Sequence, residues 1–165
     1  MDTIANVKYV DAFYVYSTEI LSSQLSIHEA HGYFKENIDN YTLTFIQGID
    51  KSLPKSLHDI IRGLIIPKSA LLSNIQNFNG KLFENLKLGS TVEIIWEDIV
   101  YMENSDRKEV SLMETLGSIE MIGDEQIVVK SPNTKRIKPL PSKDHPEKKP
   151  TFYVIPKSLI QSITI

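Results

Sequence analysis

The chain has 165 residues, of which 41% are hydrophobic and 24% charged, a composition typical of a globular protein. Eighteen Lys and Arg against 21 Asp and Glu give a net charge of −3, which does not favour a polyanionic partner. The absence of cysteine excludes disulfides, thiolate metal sites and cysteine nucleophiles. With no signal peptide and no apolar run of about 20 residues, we expect a cytoplasmic protein without a membrane role.

The first half of the chain contains five short segments rich in apolar and β-branched residues, a pattern that predicts strands. A polar turn at 36–40 separates the second segment from the third, and the loop before the fourth is compatible with a short helix at 55–61. The predicted strands are 7–16, 26–35, 41–47, 64–66 and 70–75.

The second half repeats this organisation after a linker, residues 78–88, that is compatible with one or two helical turns. Its predicted strands are 92–96, 116–122, 126–130, 152–155 and 159–165. Because proline cannot donate to a sheet, Pro156 should end the fourth of these strands at a tight corner.

Three landmarks recur in the same order at spacings of 85 to 89 residues, which predicts an internal duplication. They are Asp11 with Asp98, Gly32 with Gly117, and the Ile-Pro-Lys-Ser corners Ile66–Ser69 and Ile155–Ser158. The duplicated units are residues 1–77 and 89–165. A structure should therefore place each landmark at an equivalent position of its unit.

Five short strands leave vulnerable edges in an open sheet, whereas a strongly bent sheet closed on itself removes them. The sequence thus predicts an all-β protein of two tandem five-stranded small β-barrels, with Gly32 and Gly117 at the sharpest bends. The expected core residues are Ile66, Leu71, Val92, Ile94, Trp96, Ile119, Ile127, Val129, Ile155 and Ile160.

The order of these features resembles the Sm-like group of small β-barrels, which share their strand order with Src-homology-3-like barrels. It is carried by Trp96-x-Asp98, Gly117 in the bent second strand, a variable polar loop and the corner Ile155–Ser158. The resemblance covers residues 88–165 well and 4–76 more loosely. It implies RNA contacts in the turns, often with Arg-Gly at the corner, but here both corners carry Pro-Lys-Ser and Arg62-Gly63 lies earlier.

Residues 130–149 hold seven basic side chains against two acidic ones, together with four prolines. We interpret 131–150 as a long basic, proline-rich loop, since proline disfavours a helix or a central strand. Such a loop is either a basic arm that contacts phosphates or a solvated loop. The candidate nucleic-acid-binding residues are Lys130, Lys135, Arg136, Lys138, Lys68, Lys157 and Asn40.

Paired carboxylates suggest acid–base chemistry, but Asp11 and Asp98 should lie at the same point of two separate barrels and not beside one another. We expect each to bind backbone N–H groups at a strand end. His28 and His31, three apart on a strand, should face opposite sides and share no metal ion. No catalytic residue, metal site or cofactor is therefore predicted.

The sequence supports three hypotheses for the function. The first is a non-enzymatic Sm-like module associated with RNA or DNA, or acting as an oligomeric scaffold that self-associates through strand edges. The second is a protein–protein adaptor that uses exposed strand edges and has no nucleic-acid role. The third is a small-ligand or metal module around His28 and His31.

Overall fold

A computed structural model describes residues 3–17, 25–46, 62–102, 109–138 and 149–165. These residues form an all-β protein of antiparallel strands connected by turns and short 3₁₀ helices. The strands are β1 (Thr3–Asp11), β2 (Phe13–Val15), β3 (Ser26–Glu36), β4 (Asn40–Phe45), β5 (Gly63–Pro67), β6 (Thr91–Asp98), β7 (Val100–Met102), β8 (Ser111–Ile122), β9 (Gln126–Lys138), β10 (Phe152–Pro156) and β11 (Ile160–Thr164). The 3₁₀ helices are Lys68–Ala70, Leu72–Asn74, Gly80–Phe83 and Lys157–Leu159.

The strands make two antiparallel sheets and not closed barrels, so the expected closure is not found. One sheet has the order β1-β3-β4-β5-β7 and the other β11-β6-β8-β9-β10-β2. Each sheet ends on a strand contributed by the other half of the chain. That borrowed strand occupies the edge at which a barrel would otherwise have to close.

Each half of the chain lends the short strand that follows its first strand, β2 or β7, to the sheet of the other half. After Asp11 the chain leaves the first sheet, and β2 pairs with β10 so that Val15 lies opposite Phe152. After Asp98 the chain leaves the second sheet, and β7 pairs with β5 so that Met102 lies opposite Gly63. The sequence division into 1–77 and 89–165 thus describes repeated units, but each unit lends a strand to the other's sheet.

Strand register agrees with the predicted duplication. The landmark residues of the two units have equivalent partners on the neighbouring strand. The pairs are Asp11 with Ser26 and Asp98 with Ser111, Gly32 with Ala5 and Gly117 with Val92, and Pro67 with Asn40 and Pro156 with Gln126.

The two landmark glycines are required by close backbone approach. A Cβ on Gly32 would collide with the carbonyl oxygen of Thr44 on β4. A Cβ on Gly117 would collide with the side chain of Val129 and the carbonyl oxygen of Lys130 on β9. Only glycine allows the second strand of each unit to lie so close to the third.

Residues from both units form one continuous hydrophobic core. The predicted core residues are buried with one exception, because Leu71 is only partly buried. A second, smaller cluster of Val128, Phe152 and Val154, joined by Phe13 and Val15 of the exchanged strand β2, packs separately from the main core. Exchange of strands is therefore stabilised by apolar contacts as well as by hydrogen bonds.

Two predicted segments differ from the structure. Residues 70–75 do not form a fifth strand in the first unit: a single bridge joins Leu71 to Tyr9, and the chain then turns into the 3₁₀ helix Leu72–Asn74. The expected loop from 131 onward is instead strand as far as Lys138, because Pro132 sits at a bulge that Ser131 opens with a φ of +52°. Residues 139–148 and the predicted helical turn 55–61 lie outside the described residues.

Within the predicted linker 78–88, residues Gly80–Phe83 form a 3₁₀ helix. In the part of the chain that the structure describes, no helix is long and apolar enough to cross a membrane.

Candidate functional site

The chain crosses from one sheet to the other after Asp11 and again after Asp98. These crossovers bring the two aspartates together, and a hydrogen bond joins their side chains. The expectation that they lie apart is wrong, because it assumed two independent barrels. Reciprocal exchange places both crossovers, and hence both aspartates, at the centre of the molecule.

Each aspartate also fixes the backbone of its own crossover. Asp11 Oδ1 accepts from the Ala12 N–H at 2.9 Å, and Asp98 Oδ1 accepts from the Ile99 N–H at 2.9 Å. The prediction that these carboxylates bind backbone N–H groups at strand ends is confirmed. These bonds hold the chain at the residue where it changes sheets.

Burial favours the protonated form of these two carboxyl groups. Both residues keep some exposed surface, but protein surrounds their carboxyl groups, and this loss of hydration raises the pKa of Asp98 from 3.8 to about 6. The pKa of Asp11 is raised well above its usual value by burial and by the neighbouring charge of Asp98. The raised pKa values favour one proton shared between the two carboxyl groups, which a hydrogen bond between two carboxyl groups requires.

A polar network lies beside the pair in the second sheet. The Trp96 Nε1–H donates to Thr115 Oγ1 at 2.9 Å, and the hydroxyls of Thr115 and Thr134 are 2.8 Å apart. The Tyr14 hydroxyl continues this chain by hydrogen bonding to Thr134 and to Tyr153. The network thus attaches the borrowed strand β2 to the sheet that receives it.

The tyrosines are also in direct ring contact, with the centroids of Tyr14 and Tyr153 4.0 Å apart. Burial raises the pKa of Tyr153 well above its usual value, and the nearby charge of Asp98 raises it further. The tyrosine therefore stays protonated and serves as a hydrogen-bonding group.

The arrangement can share a proton between two carboxylates, as acid–base dyads do. Catalysis also needs a cleft in which a substrate reaches the dyad. The two surface grooves that we describe lie elsewhere, one at Glu36–Asn40 with Lys68 and the other along the outer edge of β1. The bonds of the pair to each other and to the N–H groups of Ala12 and Ile99 give it a structural role at the crossover.

The basic residues of β9 do not share one face. Lys135 and Arg136 are neighbours on a strand and so point to opposite sides, and Lys135 lies 3.7 Å from the Glu114 carboxylate. Lys130 and Lys138 are exposed, whereas Arg136 is half-buried.

The two corner lysines have different surroundings. Lys68 forms an ion pair with Glu36 at 3.2 Å and lies over the Tyr41 ring. Lys157 is 8% exposed, with its ammonium 4.9 Å from the Phe83 ring centroid and 5.4 Å from that of Phe78.

Asn40 is buried and accepts a hydrogen bond from the Asn37 side chain at 2.9 Å. The histidines, as predicted, face opposite sides of β3. His28 stacks on Tyr9, with 5.4 Å between ring centroids, and His31 hydrogen bonds to Asn6 at 2.6 Å. No cluster of three or more potential metal ligands occurs within the described ranges.

An open strand edge is the feature that sequence reasoning missed. In the second sheet β11 pairs with β6, but on the equivalent edge of β1 the described residues provide only the bridge to Leu71. A groove of about 570 Å³ runs along this edge. The available signal was the run Leu72-Ser73-Asn74, whose turn-forming residues interrupt the alternation that a fifth strand needs.

Comparison with known proteins assigns no family to the chain. No family model matches it, and no curated protein or solved structure matches it at a significant level. The function must be inferred from the residues and the geometry.

Proposed function

We propose that the protein is a non-enzymatic interaction module, an adaptor that binds a protein partner by strand addition to the outer edge of β1. The observation that carries this proposal is the asymmetry between two equivalent edges, one covered by β11 and the other carrying a groove. An uncovered strand edge offers backbone N–H and C=O groups to an extended segment of another protein.

We further propose that each repeat is an Sm-like unit. The neighbour order in the second unit, β11-β6-β8-β9-β10, places its strands in the order fifth, first, second, third and fourth. Both units turn through a short 3₁₀ helix at the Ile-Pro-Lys-Ser corner. These features support the resemblance seen in the sequence, with the exchange of the short strands β2 and β7 as a departure from it.

The distribution of basic side chains favours a protein partner over a nucleic acid. Lys68 and Lys135 are in ion pairs, Lys157 is enclosed by two phenylalanine rings, and Lys135 and Arg136 point to opposite faces. Nucleic-acid binding depends on basic groups gathered on one surface, because each phosphate contact releases a counterion.

The nucleic-acid alternative is tested with labelled 20-nucleotide RNA and DNA at increasing salt. We expect no binding tighter than micromolar at physiological salt, and no difference between the parent and a Lys135, Arg136 and Lys138 triple alanine variant. Tight, salt-sensitive binding that the triple variant loses would refute the adaptor function and restore the basic-arm hypothesis.

The adaptor function is tested by selecting binders from a displayed library of random extended peptides. We expect selected peptides to perturb the backbone amide signals of β1 in a nuclear magnetic resonance titration. Failure to select any binder, or binders that all perturb other strands, would refute strand addition at β1.

A further inference from the structure

We infer that an extended segment of a partner protein occupies the β1 edge. Its pattern is Asp-Ile-x-Ile, in which an acidic residue is followed by two isoleucine-like residues with one residue between them. This inference rests on the proposed function and specifies its partner. It is drawn from the chain's own second unit, which shows how the equivalent edge is filled.

The template is the pairing of β11 with β6. Ile163 lies opposite Ile94 and packs against the core, while Ser162 lies opposite Ile95. Val7 and Lys8 of β1 occupy the positions that correspond to Ile94 and Ile95, as the shared register of the repeats shows. An antiparallel segment on β1 should therefore seat an apolar residue opposite Val7.

The groove has the shape and chemistry for that residue. Its apolar lining is Ala5, Val7, Phe34, Leu71 and Leu72. Ala5, Phe34 and Leu71 are only partly buried against the core, whereas Val7 is buried. The groove is thus the place in the first unit where a counterpart of Ile163 is missing. Because side chains alternate along a strand, the second apolar residue of the segment lies opposite Ala5.

The charge of Lys8 determines which residue is preferred at the remaining position of the bound segment. Of the residues that line the groove Lys8 alone is charged, and it is exposed on the strand beside Val7. The residue of the segment directly opposite Lys8 shares its face of the sheet. A carboxylate there gains a cross-strand ion pair in which Lys8 lies between it and Glu29, the partner of Lys8 on β3. The same position in β11 is the neutral Ser162, opposite the apolar Ile95.

The length of the described edge favours a peptide segment over a second copy of this chain as the occupant. The edge between Thr3 and Lys8 is six residues long, and self-pairing of two such edges involves far fewer than the ~20–30 residues a side of a stable interface. A peptide segment needs less contact area, because backbone hydrogen bonds give the affinity and side-chain pockets the specificity.

The probe is the fluorescently labelled hexapeptide Asp-Ile-Thr-Ile-Thr-Val, measured by fluorescence anisotropy with the full-length protein. We expect saturable binding, at least tenfold loss when both isoleucines become aspartate, and several-fold weakening when the first residue becomes lysine. The weakening by lysine should shrink at high salt, because an exposed ion pair is screened.

The protein variant is Leu72→Asp, which places a charge in the groove at a half-buried position, and its matched control is Leu88→Asp at a 68% exposed site. Leu72→Asp should abolish binding and Leu88→Asp should preserve it, with thermal denaturation showing that both are folded. Amide signals of Thr3–Lys8 and Leu71–Ser73 should shift on binding.

Absence of saturable binding, equal binding of the aspartate-for-isoleucine peptide, or full binding by folded Leu72→Asp would overturn the inference. Should library selection yield β1-edge binders of another pattern while this hexapeptide fails, the adaptor function stands and the inferred chemistry of the segment is wrong. Failure of both overturns both.

Discussion

The two units share a corner but differ in the chain beyond it. After Pro156 the chain makes a short 3₁₀ helix and then β11, which completes the second sheet. After Pro67 it makes an equivalent 3₁₀ helix, touches Tyr9 at Leu71, and turns away while the Asn74 side chain donates to the Lys68 carbonyl at 2.8 Å. Identical corner residues therefore fix the turn, and the residues beyond it decide whether a strand forms.

The borrowed strands are also held differently. In the second sheet Tyr14 of β2 lies opposite Tyr153 and joins a buried polar network. In the first sheet the equivalent Tyr101 of β7 lies opposite Leu64 and is 38% exposed. The buried polar attachment is thus a property of the second sheet's borrowed strand, although the duplicated architecture docks both strands in the same way.

The largest expected effect tests whether the corners are equivalent. Ile66→Ala and Ile155→Ala each empty a fully buried site next to a corner proline and should each lower the free energy of unfolding by about 2–4 kcal/mol. Chemical denaturation measures this, with the 91% exposed Ile38→Ala as the control. A loss in one unit only would break the equivalence of the two cores.

The next largest loss of stability is expected at the two glycines that lie close to a neighbouring strand. Gly32→Ala and Gly117→Ala force a Cβ against the neighbouring strand and should cost about 1–3 kcal/mol each by denaturant unfolding. Gly80→Ala is the matched control, since its Cβ would meet open space. If the glycine variants unfold like the control, close approach between the second and third strands is not a constraint.

The aspartate pair at the crossover predicts that the free energy of unfolding depends on pH. Raised carboxyl pKa values mean that the folded state binds more protons than the unfolded state, so stability falls as pH rises from about 4 through 6. The rise to about 6 corresponds to at most roughly 3 kcal/mol, and partial exposure reduces the expected fall to about 1–2 kcal/mol.

Asp98→Asn should reduce this fall by the share of Asp98 and leave the share of Asp11, whose pKa is raised chiefly by burial. The amide oxygen of the new residue can still accept from the Ile99 N–H, and its amide hydrogen can donate to Asp11. Denaturant unfolding at several pH values provides the test, with the exposed Asp124→Asn as control. Persistence of the full pH slope in Asp98→Asn would show that the pair is not its source.

The smallest effect separates the two corner lysines. Lys157→Ala removes a buried ammonium from two phenylalanine rings and should cost about 1–2 kcal/mol. Lys68→Ala removes a surface ion pair and should cost less than about 1 kcal/mol. Equal thermal shifts in the two variants would mean that the enclosure of Lys157 adds nothing to stability.

Local patterns predicted most strands of both units. Alternating apolar residues indicate a strand, and prolines and glycines indicate its ends, through effects that reach only a few residues along the chain. They failed where residues distant in the sequence determine whether a segment forms a strand. Pro132 was expected to lie in a loop, yet the bulge opposite Gly117 accommodates it within a strand. The fifth strand was expected from apolar content at 70–75, where Asn74 instead closes a turn.

By itself the sequence determined the all-β class, the duplicated order of strands and the core residues beside each corner, since these depend on periodicity and on repeated landmarks. The tertiary structure alone decided the exchange of the short strands β2 and β7, the meeting of Asp11 with Asp98 and the open edge of β1. A strand pattern specifies which side faces a core, but not which sheet provides that core. That choice depends on packing and hydrogen bonding between residues far apart in the sequence, such as Val15 and Phe152.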